Sequence, residues 1–180
     1  MNFPYLVFLI TISIGIAIAS FDEFSINLYK TIAKSNADKN LVISPTSIAL
    51  SAGIVLQGAS GETRSQIERA LGDAKFESLI QLIESDSSIE SANKIYVANR
   101  FSLKAGYQQT VEAIFNSTAQ SVDFGDSTGT SRIINDWVEE KTHGLIKDLV
   151  KELSPDLAAI IINAIYFKGA WETPFSLKNE

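Results

Sequence analysis

Residues Leu157–Phe175 read LAAIIINAIYFKGAWETPF. Within them, Ala158–Phe167 is almost wholly apolar. Ile160, Ile161, Ile162, Ile165, Tyr166 and Phe167 are spread over both faces of a period-2 alternation. This density of β-branched and aromatic residues predicts a strand. Apolar residues on both faces predict a layer above and a layer below, hence a central strand. Asn163 breaks the pattern, because it shares a face with Ile161 and Ile165. A buried amide left unpaired costs about 1–3 kcal/mol, so partners are expected for it. Lys168-Gly169 closes the strand, and Trp171 and Pro174 follow.

At 180 residues the chain is long enough for one domain with a sizeable core. The formal net charge is −6, with no cluster of Lys or Arg. That balance argues against nucleic acid and against an anionic membrane surface as partners. There is no cysteine, which removes disulfides, zinc ribbons and thiol catalysis together. The N-terminus supplies an address. Leu6–Ala19 is a predominantly apolar run ending in Ala17-Ile18-Ala19, a small-x-small pattern before Ser20. It reads as a cleaved signal peptide over residues 1–19, followed by one domain over residues 20–180 and an extracellular destination. The run is shorter than the roughly 20 residues of a membrane span. Its lack of a basic flank departs from the usual pattern.

Phe21–Lys34 has Phe21, Phe24, Leu28 and Ile32 at helical spacing. Leu41–Ile43 reads as a short strand. Ser44-Pro45 then opens a helix, with Ser44 as N-cap and Pro45 at the first helical position. That helix, Thr46–Gln57, is apolar nearly all round and therefore buried. Ser44, Ser47 and Ser51 could reach a buried amide such as Asn163, although spacing alone favours bonds within their own helix. Ser60 is the expected cap of a helix over Glu62–Leu71 that Gly72 stops. Lys75–Glu84 is amphipathic, Ala92–Ala98 alternates as a strand, and Gly106–Ser117 is helical. Ser121–Phe124 reads as a brief strand and Gly125–Gly129 as a loop. A long helix, Ser131–Thr142, carries the stripe Ile133, Ile134, Trp137 and Val138. Asn135, Asp136, Glu139 and Glu140 are expected in water, and the apolar pattern resumes at Leu145, Ile146, Leu149 and Val150. Asn116-Ser117-Thr118 is an N-glycosylation sequon.

No arrangement points to catalysis. The single histidine, His143, falls at a polar helix end, and no Gly-x-Ser-x-Gly elbow exists to present a serine to it. One His without Cys does not make an ordinary transition-metal site, and nothing calls for a cofactor. Gly58–Thr63 looks superficially like a phosphate loop. Its glycines are too close, no Lys follows, and Glu62 would repel a phosphate.

Three blocks resemble the serpins. The first is NLVISPTSIAL over residues 40–50, followed by the Gly58–Thr63 turn. The second is INDWVEEKT over residues 134–142, with IKDL over residues 146–149. The third is NAIYFKGAWETPF over residues 163–175. The resemblance extends from about Phe21 to Phe175. It implies an α+β serpin fold, N-terminal portion, in which helices pack around a central sheet holding Ala92–Ala98, Ser121–Phe124 and Ala158–Phe167. It also implies roles that spacing did not favour. Ser44, Ser47 and Asn163 match the shutter, a hydrogen-bonded cluster beneath the point where the sheet parts. Trp171 matches the aromatic at the breach, where a loop first enters.

The family function implied is inhibition of a serine (or cysteine) protease, whose cleavage of a reactive loop drives that loop into the sheet. The reactive loop, its hinge and the shutter's histidine belong to the part of a serpin that these 180 residues do not match. The chain alone is therefore expected not to inhibit, and its last strand to stand as an apolar, aggregation-prone edge. A non-inhibitory serpin (carrier, chaperone or storage protein) remains the alternative. Glycosaminoglycan activation through a basic fourth helix is not supported, since Lys75–Glu84 has one Lys and two Glu and no cationic face.

Overall fold

The computed structural model describes residues 21–72 and 74–173. The expected signal peptide, its cleavage point before Ser20, and Pro174-Phe175 lie outside the described residues. Helix α1 occupies residues 21–34 and turns Phe21 and Phe24 onto the core. Residues 41–44 are extended without strand pairing, so the expected strand Leu41–Ile43 does not form. A strand is made by its partner, and among the described residues none runs beside this one.

Helix α2 spans Pro45–Gly58, and its N-cap is as expected. Ser44 Oγ accepts from the Ser47 backbone N–H, and proline sits at the first helical position. Ala49, Leu50, Gly53, Ile54 and Leu56 are buried. Gly53 lies against two aromatic rings: a Cβ there would stand 2.7 Å from the Phe76 ring and 2.9 Å from that of Phe115. Helix α3, Gly61–Leu71, has Ser60 at its N-cap position, but the hydroxyl makes no capping hydrogen bond. Gly72, at φ 66°, ends it as its position suggests. Helix α4 is Phe76–Ser85 and helix α5 is Ala105–Phe115.

Three strands form one sheet among the described residues: β1 (Ile89–Ala98), β2 (Thr118–Val122) and β3 (Ala159–Phe167), in the order β2-β1-β3. β1 pairs with β2 in parallel and with β3 antiparallel. Among the described residues β1 lies between two neighbours and β3 stands at the edge, as expected of these 180 residues taken alone. Apolarity on both faces reports the layers above and below, which β3 does have, and says nothing about neighbours to the side. β2 begins three residues earlier than expected and leaves Phe124 in the turn beyond it. The cause is the early stop of α5 at Asn116, whose left-handed backbone (φ 48°) turns the chain straight into the strand.

Helix α6 runs Ser127–Lys141, one turn longer at its start than expected. Asp126 caps it by accepting from Gly129 N–H at 2.9 Å, so part of the supposed Gly125–Gly129 loop is helix. Ile134 and Val138 of the expected stripe are buried, while Ile133 lies outward. Asn135 does not simply face water: its amide donates to Val150 O at 2.7 Å and accepts from Val150 N–H at 2.9 Å. Leu145, Ile146 and Leu149 are exposed in the connector to β3 instead of continuing a buried face.

The sheet separates two apolar clusters. Ile95 and Val97 pack with α2 and the Phe76 and Phe115 rings on one side. Tyr96, Ala98 and Ile162 pack under Ile134 and Val138 of α6 on the other. Alternate residues of β1 feed opposite clusters, as a strand's period of 2 requires.

Candidate functional site

The antiparallel register of β1 and β3 sets Asn93 directly opposite Asn163. Asn163 Nδ2 donates to Asn93 Oδ1 at 2.9 Å and lies 3.3 Å from Ser91 Oγ. Asn93 Nδ2 in turn donates to Phe115 O, the last residue of α5, at 2.9 Å. Asn93 is buried, so this chain of amides runs through the apolar side of the sheet that faces α2. Asn163 Oδ1 is buried and has no partner among the described residues. An acceptor in that state stands ready for one more donor.

Ser44 and Ser47 are brought together by the first turn of α2, with Ser47 Oγ 2.9 Å from Ser44 Oγ. Their hydrogen bonds stay within that turn. α2 packs against β3, but the Asn163 amide donates to Ser91 and Asn93 rather than to these serines. Sequence reasoning missed Ser91 and Asn93. The signal was present, since Asn93 interrupts the apolar face of Ile95 and Val97 as Asn163 interrupts its own. Trp171 lies four residues beyond β3 and is largely exposed. Asn116 is exposed at the end of α5, and its Nδ2 donates to Glu84 Oε1 at 2.6 Å.

On the opposite side, α6 is fastened across the strands. Lys94 Nζ sits 5.2 Å from the Tyr96 ring centre and 5.8 Å from that of Trp137, a cation held between aromatic faces. Desolvation pulls the Lys94 ammonium below its ordinary range, and nearby Glu140 counteracts this. Tyr96 is fully buried, its hydroxyl has no partner among the described residues, and burial pushes its pKa up to about 12. His143, with φ 51°, places Nε2 3.0 Å from Glu90 Oε1 and its ring 4.3 Å from that of Tyr166. Glu90 and Tyr166 are themselves an opposed pair on β1 and β3. The histidine therefore straddles the same seam that Asn93 and Asn163 join. Among the described residues, no group of three or more His, Cys, Asp or Glu could hold a metal ion.

A family model described as Serpin (serine protease inhibitor) matches residues 19–180. The chain belongs to the serpin family. Human neuroserpin is 33% identical over 171 residues, covering 87% of this chain and 42% of that relative. Antichymotrypsin-2 of Bombyx mori is 36% identical over 165 residues, covering 86% of this chain and 44% of the relative. Among solved structures, cleaved Serpin 42Da superposes with a TM-score of 0.81 at 34% identity, over 87% of this chain and 45% of that one. The chain thus spans less than half the length of the curated relatives it matches. Its three strands and surrounding helices are the N-terminal portion of a serpin fold, of the α+β class expected. Serpins in general are inhibitors rather than enzymes.

Proposed function

We propose that the complete protein is a secreted serpin that inhibits a serine (or cysteine) protease by adding its cleaved reactive loop alongside β3. One observation carries the reading. The strand order leaves the outer edge of β3 without a partner among the described residues, while its inner edge is held by nine opposed pairs with β1. A row of free backbone donors and acceptors on an apolar strand is a template for one further strand. Serpin loop insertion is itself a known instance of such strand addition, and of a switching transition. The names antichymotrypsin and antitrypsin among the relatives support an inhibitory role.

In this reading Asn163 is the shutter's amide, extended here by Asn93 and Ser91, and Ser44 and Ser47 belong to the same shutter beneath β3. Trp171 marks the breach. Residues 1–19 are the signal peptide, Asn116 carries an N-linked glycan, and secretion follows. Neither nucleic acid nor membrane is a partner of an acidic chain of this kind, and the α4 sequence FESLIQLIES offers no cation to a glycosaminoglycan. The 180 residues alone do not inhibit, because the strand-supplying loop is outside them.

The test is an adduct assay. The full-length form, mixed with chymotrypsin-like and papain-like proteases, is expected to give an SDS-stable complex with at least one, and the 180-residue chain with none. Clean cleavage of the full-length form without any adduct would overturn the inhibitory reading in favour of a carrier, chaperone or storage role. An adduct formed by the 180 residues would overturn the assignment of β3 as a strand awaiting a loop.

A further inference from the structure

Asn116 stands on the rim of a cleft of about 360 Å³ between α4, the start of β1 and the end of α5. The cleft's floor is apolar, formed by Ile83, Ile89 and Phe115, and its rim carries Glu84, Glu90 and Lys141. It also reaches Ser91 and Asn93 of the amide chain that joins β1 to β3. We propose that the first N-acetylglucosamine of a glycan on Asn116 folds over this cleft and shields the Ser91–Asn93 end of the seam. The proposal rests on the reading of Asn116 as glycosylated and goes beyond it by assigning the sugar a seat.

Three features carry it. Asn116 is exposed and in the left-handed conformation, so its side chain projects from a turn rather than from a helix face. Thr118, which completes the sequon, is exposed as well, while Ser117 between them is buried. Asn116 Nδ2 is already held at the cleft's edge by Glu84 Oε1. In glycosyl transfer from a lipid-linked oligosaccharide, Nδ2 bonds to C1 of the sugar, and the C1–O bond to the lipid pyrophosphate breaks. The pyrophosphate leaves with that electron pair, and one of the two Nδ2 protons passes to solvent. The remaining N–H can still donate to Glu84, which keeps C1 beside the cleft. An N-acetylglucosamine suits what lies there. Its acetamido methyl matches the isoleucine floor, and its hydroxyls match the carboxylates and the Lys141 ammonium, groups that pair with neutral polar ligands by charge-assisted bonds.

The protein secreted by eukaryotic cells is the material for the test. Mass spectrometry of the peptide containing Asn116 reads occupancy. Amide exchange across Ile89–Asn93, and binding of an apolar dye, are then compared before and after native enzymatic removal of the glycan and in Thr118→Ala, which keeps Asn116. The expected result is an occupied Asn116, with exchange over Ile89–Asn93 several-fold faster and dye binding increased once the sugar is gone. An occupied site with unchanged exchange and dye binding overturns the seat in the cleft and leaves glycosylation standing. An unoccupied site overturns both.

Discussion

Asn93 and Asn163 are seventy residues apart in the chain and 2.9 Å apart across the β1–β3 seam. The bond uses one of the two donors of Asn163, while Asn93 spends its own donor on Phe115 O. Cutting either amide leaves the other, buried Asn93 or half-buried Asn163, short of one partner, and that desolvation cost outweighs the modest net value of the bond itself. Asn163→Ala and Asn93→Ala are each expected to cost about 1–3 kcal/mol. Together they should cost clearly less than the sum, because the double variant leaves no orphan amide between them. A denaturant-unfolding cycle on the four proteins checks this. Strict additivity would show that the two amides act separately.

Tyr96 gives an alkaline signature. Burial holds it as the neutral phenol, with a pKa raised from 10 to about 12. The stabilisation this represents is fully present below pH 10 and is lost as pH rises through about 12. Stability should therefore fall over that window, and Tyr96→Phe should flatten the fall. The hydroxyl has no hydrogen-bond partner among the described residues, so at neutral pH the same substitution is expected to be neutral or stabilising, by up to about 1 kcal/mol. Thermal unfolding at pH 7 and pH 11 separates the two effects.

Two helical glycines should respond in opposite directions. A methyl at Gly53 meets the Phe76 and Phe115 rings at 2.7 and 2.9 Å, so Gly53→Ala is expected to destabilise by about 1–3 kcal/mol through overpacking. A methyl at Gly106 in α5 meets nothing within 4 Å. Gly106→Ala should stabilise by about 0.5–1 kcal/mol, since it removes only unfolded-chain entropy. Calorimetric melting of both variants is sufficient to check the signs.

Arg100 sets the entry to β3. Its guanidinium donates to the carbonyls of Pro155, Asp156 and Leu157 at 2.9–3.1 Å and lies over the Phe101 ring. No lysine can reproduce that fork. Arg100→Lys and Arg100→Ala should both speed amide exchange at residues 154–159 by several-fold, with little change elsewhere. An unchanged exchange profile would show that the turn holds its shape without the arginine.

The outer edge of β3, unpaired among the described residues, gives a prediction for the 180-residue chain. Phe167 is exposed at the end of that strand. The chain should self-associate in a concentration-dependent way, and Phe167→Lys should reduce it, since a charged edge residue opposes strand-to-strand pairing. Sedimentation velocity over a concentration series reads the effect.

Much of this protein is written in short stretches. Ser44-Pro45 opens α2 and Gly72 closes α3 because capping depends on residues within one turn of each other. The inward stripe of α1 and the alternation of Ile95, Tyr96 and Val97 follow from periods of 3.6 and 2 along contiguous sequence. Asp126 was legible in the same way, as an acceptor three residues before Gly129, although glycines around it suggested a loop. The resemblance to serpins joined the blocks into one fold.

Sequence alone thus determined the family, most of the helices, and the apolar face that Asn163 interrupts. Tertiary structure decided which strand lies at the centre, that Leu41–Ile43 pairs with nothing described, and that Asn163 answers Asn93 and Ser91. The physical reason is one of range. A cap or a periodic face is settled by neighbours along the chain, whereas strand order and cross-strand partners depend on register between segments that meet only when the sheet closes.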